Sequence, residues 1–421
     1  MEPNPGQAYA MSNTGSPPTD VLIAGGGMVG LTLALALSRG GVSVAVADPI
    51  PEATVLNEAF DGRVSALSYA AVRMLKALGI WADLESRAQP ILDILVTDAA
   101  LGASPSPFSL HFDHREIGEP MGAIAENRHI RRALFTAIHQ TQNVRVISPA
   151  AVVSLVMHPE FAQATLSNGQ TIHASLVVAA DGRNSPLREQ MGIRTISWAY
   201  PQVGMVATVQ HRKPHNGVAY EHFLPSGPFA ILPMIGNRSS LVWTERQDAA
   251  PSLMQLPSDK FCEEVGRRFG HHLGDIEVIG ARWSYPLQFH LARGYIAPRF
   301  ALAGDSAHGI HPIAGQGLNL GLKDAAALAE CVLEFVKLGL DPANAEALQR
   351  YERWRRFDSF MLAAATDGLN RLFSNDIAPV RALRDLGLGI VDAIGPLRRL
   401  FMRNAGGDLG KLPRLMQGEP A

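Results

Sequence analysis

DVLIAGGGMVGLTLALALSRGGVSVAVAD, residues 20–48, is an apolar run, a glycine turn, an apolar stretch of helix length and a second apolar run that ends on an acid. The pattern predicts a strand over Asp20–Ala24, a helix after Gly30 and a strand closing on Asp48, a β-α-β unit that opens a doubly wound sheet. Within it, Gly25-x-Gly27-x-x-Gly30 sits where a dinucleotide fingerprint must sit, with Met28 and Val29 as its variable positions. The first glycine allows the tight turn, the second lets a pyrophosphate approach the backbone, and the third lets helix and strand pack closely. The helix N-terminus attracts phosphate charge, and Asp48 can accept hydrogen bonds from a ribose. NAD and FAD both satisfy this much.

Two later apolar strands also end on acids, LVVAADG at Asp181-Gly182 and FALAGD at Gly304-Asp305. Either acid alone reads equally well as a helix N-cap. Two such ends joined to the fingerprint point to a cofactor that extends across the sheet, which favours FAD. After Asp305 come His308, His311, Pro312 and the run Gly315-Gln316-Gly317-Leu318-Asn319, with a helix expected to about Leu338. Backbone N–H groups of Gly315–Leu318, at the positive end of that helix, can stabilise negative charge. His308 and His311 with Asp305 lack a further ligand nearby, so no metal is expected. His311 and Pro312 are the candidates for the flavin edge or substrate side, and His308 for a structural role. No general base is identifiable.

Helices are also expected over Ser65–Trp81 and around Glu126–Gln140. From about Ile193 to Tyr285 the pattern is mostly β with one helical interruption at Ser258–Phe269, and from Ala345 onward it is helical. The expected organisation is a disordered leader (1–18), a discontinuous FAD-binding domain (19–88, 122–192 and 293–345), a β-rich substrate domain (89–121 and 193–292) and a helical C-terminal region (346–421). Composition excludes other classes. At 421 residues and 47% apolar content the chain supports a sizeable core, and a net charge of −2 gives no field for nucleic acid. Cys262 and Cys331, far apart, argue against a disulfide framework and suit the cytoplasm. The leader is not a signal peptide, and no apolar run reaches the roughly 20 residues that span a bilayer. Membrane contact is expected to be peripheral, on the inner face.

The glycine fingerprint, Asp-Gly and Gly-Asp in this order resemble the single-component FAD-dependent aromatic hydroxylases. Their α/β fold has a Rossmann-like FAD-binding domain similar to glutathione reductase and para-hydroxybenzoate hydroxylase. DGRVSALSYAAVRMLKALGIW, FAILPMIGNRSSLVWTE, HPIAGQGLNLGLKD and TDGLNRLFSND look like the ubiquinone-biosynthesis hydroxylases of the UbiH type, over about Asp20–Leu415. The resemblance implies that Gly25, Gly27, Gly30 and Asp48 bind the ADP half of FAD, that Arg63 approaches flavin or pyrophosphate, and that Arg128 contacts the cofactor side. For both arginines the bland alternative is a surface salt bridge. It further implies that Asp181 handles FAD and NAD(P)H, that Gly304 and Asp305 hold the ribityl chain, and that Pro312 to Asn319 line the isoalloxazine ring.

The activity implied is monooxygenation: NAD(P)H reduces the flavin, O2 adds at its C4a carbon, and the hydroperoxide gives one oxygen atom to the ring of a polyprenylated phenol or quinone precursor. The chain holds one nucleotide-binding fingerprint, so no separate NAD(P)H domain is evident. Two other readings stay open: a hydroxylase of a small soluble phenol, and a flavin-binding scaffold among quinone-biosynthesis proteins. A halogenase is disfavoured because a Trp-x-Trp-x-Ile-Pro signature is absent. Near the C-terminus Arg371, Arg381, Arg384, Arg398, Arg399 and Arg403 lie among Leu383, Leu386, Leu397, Leu400 and Phe401, a pattern that suits either an anionic membrane surface or ordinary helix packing. Oligomeric state is left open.

Overall fold

The computed structural model describes residues 19–98, 109–270, 272–374, 391–408 and 410–421. The expected leader and the positions Arg381, Leu383, Arg384 and Leu386 lie outside them. Strand β1 (Thr19–Ala24), helix α1 (Met28–Arg39) and strand β2 (Val44–Ala47) form the β-α-β unit. Val21, Leu22 and Ile23 are wholly buried, each contributing roughly 1.5–3 kcal/mol through removal of its side chain from water. Burial on both faces is the reason this strand is continuously apolar rather than alternating.

β1 is the central member of a largely parallel sheet in which it pairs with β2 on one side and with Thr171–Ala179 on the other. The latter strand pairs in turn with Phe300–Leu302, and β2 with Val144–Ile147. The helix Gln316–Val336 packs against α1, and Leu333 fills the space beside Gly40. A second, eight-stranded sheet contains Asp93–Asp98, Ser109–Asp113, Thr195–His211, Val218–Leu224, Gly227–Met234, Arg238–Arg246 and Ile276–Ala292, ending on the short strand His308–Gly309. The helix Ser258–Phe269 covers it with Phe261, Val265 and Phe269. A third sheet is small: Val64–Ser68 and Ala88–Ile91 flank Gly122–Glu126.

The single helix expected over Ser65–Trp81 is not what forms. Val64–Ser68 pairs antiparallel with Gly122–Glu126. The Ser68 hydroxyl then caps the helix Tyr69–Ala77 by accepting a hydrogen bond from the Ala71 N–H (3.3 Å). Gly79, with φ at +68°, reverses the chain before Trp81 starts a separate turn. Apolar spacing was ambiguous there, and pairing to a distant strand decided it. The C-terminal region is helical over Ala345–Phe373 and Gly395–Ala405.

Candidate active site

Four parallel strands finish on one line. Ala47, Ala24, Ala179 and Leu302 are successive register partners across the sheet, so the residues just beyond them, Asp48, Gly25, Asp181 and Gly304, form one row at its carboxyl edge. Open α/β sheets bind their ligands at this edge. The sequence-derived candidates from four separate segments thus meet in space.

Backbone contacts hold the row. The Gly25 φ is +114°, and a Cβ there would lie 2.2 Å from the Ala180 carbonyl oxygen. A Cβ on Gly30 would lie 2.0 Å from the Gly25 carbonyl oxygen, so the first turn of α1 presses on the loop itself. At Gly27 a Cβ would meet nothing within 4 Å. Asp48 accepts hydrogen bonds from the N–H of Gly26 (2.6 Å) and of Ile50 (2.8 Å), which fixes the loop to the end of β2. Val29 packs against Gly304 and Gly321, joining the fingerprint to the second Gly-Asp loop. The Ser306 hydroxyl donates to the Ala179 carbonyl (2.6 Å). The Asp305 side chain is exposed, while its carbonyl accepts from His290 Nε2 (2.8 Å).

A buried ionic knot stands behind that loop. Asp324 accepts from the Gly304 N–H (2.9 Å), meets His308 Nε2 at 2.5 Å and accepts from Arg355 Nε at 2.7 Å. Burial opposes the Asp324 charge, but His308 and Arg355 outweigh it and hold the carboxyl below its usual range. Sequence reasoning missed Asp324 and Arg355, although a lone acid in the apolar helix face LNLGLKDAAALA was a signal. The structural reading of His308 agrees with this pairing.

Asp181 differs: both its carboxylate oxygens are buried with no hydrogen-bond partner among the described residues, and burial raises its pKa, with Ser185 pulling the other way. An orphaned acid in the row and open space at Gly27 both fit a polar, extended ligand laid along the strand ends.

The loop before Gln316–Val336 turns through Gly315, φ +62°. Asn319 pins the third sheet to it, accepting from the Ser68 N–H (3.0 Å) and donating to the Ala66 carbonyl (3.0 Å). Gln316 donates to the Ala405 carbonyl (3.0 Å). Asn319, Gln316 and Ile313 also line a cavity of about 500 Å3 whose other walls are almost entirely apolar, among them Phe112, Phe223 and Phe373. Its walls come from the second and third sheets and the two C-terminal helices.

A family model described as an FAD binding domain matches residues 18–358. The chain belongs to the FAD binding domain family. It is 50% identical over 405 residues to "Ubiquinone hydroxylase UbiL" of Rhodospirillum rubrum, covering 95% of this chain and 93% of that protein. It is 34% identical over 393 residues to "3-demethoxyubiquinol 3-hydroxylase" of Escherichia coli, with 92% and 98% covered. Among solved structures, p-nitrophenol 4-monooxygenase PnpA from Pseudomonas putida shares the fold at a TM-score of 0.79 and 19% identity, covering 94% of this chain and 99% of that one. The chain is an FAD-dependent monooxygenase, as its resemblance implied.

In this family member the side chains of the other candidates meet partners outside the strand-end row. Arg63 is paired with Asp61 (Nε to Oδ2, 2.8 Å), its guanidinium 5.7 Å from the Trp283 ring centre. Arg128 donates to Glu126 (2.7 Å) and to the Glu58 carbonyl, and lies over Phe60. His311 is almost wholly buried, its ring edge-on to Tyr200 at 5.2 Å, and among the described residues neither ring nitrogen has a partner. Burial pushes its pKa down to about 4 against the pull of Asp367, so the imidazole is neutral at neutral pH. His308 and His311 therefore face different partners and do not share a site.

Proposed function

We propose that the chain hydroxylates the aromatic ring of a polyprenylated ubiquinone precursor, using O2 and NAD(P)H. The single observation that carries this reading is the apolar cavity beside Gln316 and Asn319, large enough for an oxygenated ring and the first part of an isoprenoid tail. FAD, reduced by NAD(P)H, supplies the oxygen activation. The Gly25–Gly30 loop and the N-terminus of α1 would bind its pyrophosphate, and Asp48 its ribose through the lone pairs left free by Gly26 and Ile50. Asp181, Gly304 and Asp305 would hold the ribityl portion. Pro312, Gly315, Gly317, Leu318 and their neighbours would lie along the isoalloxazine ring, with Gly315–Leu318 N–H groups stabilising negative charge.

The substrate also explains the surface. The helix Ala345–Phe373 exposes Phe357, Phe360 and Met361 at helical spacing, and Leu369, Leu372 and Phe401 are both exposed and part of the cavity wall. Arg371 and Arg403 are exposed beside them. This face would rest on anionic lipid, from which a membrane-dissolved tail could pass into the cavity. Among the described residues no helix is long and apolar enough to cross a membrane.

The test is mass spectrometry of lipid extracts from a strain lacking the gene. A prenylated precursor short of one hydroxyl should accumulate and disappear on complementation. An unchanged quinone profile, in a strain without a second hydroxylase, would refute the reading. Flotation of the FAD-loaded protein with phosphatidylserine vesicles should recover it in the lipid fraction at low salt, and recovery only in the pellet would remove the membrane part.

A further inference from the structure

Among the described residues, the cavity wall contains one acid. Strand Val218–Leu224 alternates, and its Ala219, Glu221 and Phe223 all line the cavity. Glu221 stands between two apolar register partners, Val96 on one neighbouring strand and Ala230 on the other. Ala219 and Phe223 belong to a buried apolar cluster with Phe112, Met234 and Phe373. Among the described residues the facing elements offer no charge: Ile94 and Val96, Leu110 and Phe112, Leu362, Thr366 and Phe373, and Phe401 and Asn404 are all apolar or neutral. Tyr220 is the other titratable lining residue, and its ring packs on His222 and His272. Among the described residues, no side chain forms a hydrogen bond or ion pair with the Glu221 carboxyl, and the residue is half-buried at the cavity wall.

An acid on an otherwise apolar sheet face breaks the local pattern. Burying an unpaired polar group costs about 1–3 kcal/mol, and a leucine here would remove that cost. Departures of this kind concentrate where a ligand supplies the missing partner. With no cation among the described residues that line the cavity, burial pushes the Glu221 pKa up to about 8, so at pH 7 the group is mostly a neutral acid that can both donate and accept.

We propose that the Glu221 carboxyl is the hydrogen-bonding anchor for an oxygen on the substrate ring, and that this contact fixes which ring carbon is presented to the flavin. The inference rests on the reading of this cavity as the seat of an oxygenated, prenylated aromatic ring. Tail and ring edge would be held mainly by apolar contact, which is not directional. A single polar contact supplies the orientation that apolar walls cannot.

The experiment compares two probes, a 2-prenylphenol with a short side chain and the matching prenylbenzene that lacks the hydroxyl. Their dissociation constants are read from flavin absorbance changes in the FAD-loaded wild type, Glu221→Gln and Glu221→Leu. At pH 7 the wild type should bind the phenol about tenfold more tightly than the benzene, the size of one well-made hydrogen bond. Glu221→Gln should keep most of that preference. Glu221→Leu should lose it without weakening prenylbenzene, and should yield mixed ring positions and wasted hydrogen peroxide on turnover.

The preference should also grow in the wild type as pH rises through about 8, where the acid ionises and accepts the phenol O–H in a charge-assisted bond, and should stay flat in Glu221→Gln. Stability moves in the same window. The folded-state pKa lies above the ordinary value of 4.5, so the folded chain holds an extra proton between the two values and loses stability as pH rises toward 8. Glu221→Gln should remove that slope, which no ion-pairing role would predict. If both probes bind but Glu221→Leu keeps the phenol preference, the anchor is overturned while the cavity reading stands. If neither probe binds the wild type, both fall.

Discussion

The strand-end row and the apolar cavity lie on either side of the Gly315–Asn319 loop and are built on opposite principles. The row is made of backbone: Gly26 N–H on Asp48, Gly304 N–H on Asp324, the Ser306 hydroxyl on the Ala179 carbonyl, and glycines at Gly25 and Gly30 whose Cβ atoms have no room. The cavity is made of side chains drawn from the second and third sheets and from two helices. A cofactor common to a family would be met there by backbone atoms, and only glycine at positions such as Gly25 and Gly30 leaves room for that geometry. A substrate that differs between members is met by side-chain volume, which tolerates exchange.

The largest expected effect tests the rigid half. Gly30→Ala places a methyl carbon 2.0 Å from a backbone oxygen that cannot give way, so the purified protein should carry background flavin and melt without a cooperative transition. A normal flavin content would mean that α1 can move away from its loop, and the row would not be rigid. Next in size, Asp324→Asn leaves Arg355 buried with one anionic partner removed and weakens the grip on Gly304, at a cost of about 3–5 kcal/mol in chemical denaturation. A loss below about 1 kcal/mol would show that Asp358, 2.9 Å from Arg355 Nη1, suffices to hold that charge.

The same contrast explains what could be read in the sequence. Gly25, Gly27, Gly30, Asp48, Asp181 and Asp305 were legible because each is a local event, a turn or the end of an apolar strand, and strand ends in a parallel sheet fall on one edge. Ser65–Trp81 was misread because Val64–Ser68 owes its strand to Gly122–Glu126, far along the chain. Glu221 gave no signal, since an acid in a half-buried strand usually faces water and only the opposing helices show that this one does not. Asn319 stood inside the quoted glycine loop, yet its bonds to Ser68 and Ala66 depend on a sheet not visible from that segment. The arginines carried by resemblance, Arg63 and Arg128, turn toward the acids two residues before them, Asp61 and Glu126, and Arg128 also toward Phe60, pairings that sequence proximity alone does not distinguish from a role at a ligand.

The smallest predicted effect separates the fold of the row from its use. Gly27 has φ −72°, a value any residue adopts, and a Cβ there meets nothing within 4 Å. Gly27→Ala should therefore change the stability of the apoprotein by no more than about 1 kcal/mol, the range for an exchanged N-cap. The added methyl would stand where a pyrophosphate must approach the backbone, so fluorescence titration of the apoprotein with FAD should give about tenfold or weaker binding, a loss of about 1.4 kcal/mol. Gly30→Ala and Gly27→Ala add the same methyl carbon three residues apart, but the first meets the protein and the second would meet only the ligand. If Gly27→Ala binds FAD as tightly as the wild type, the pyrophosphate does not cross this loop, and the fingerprint here would serve packing alone.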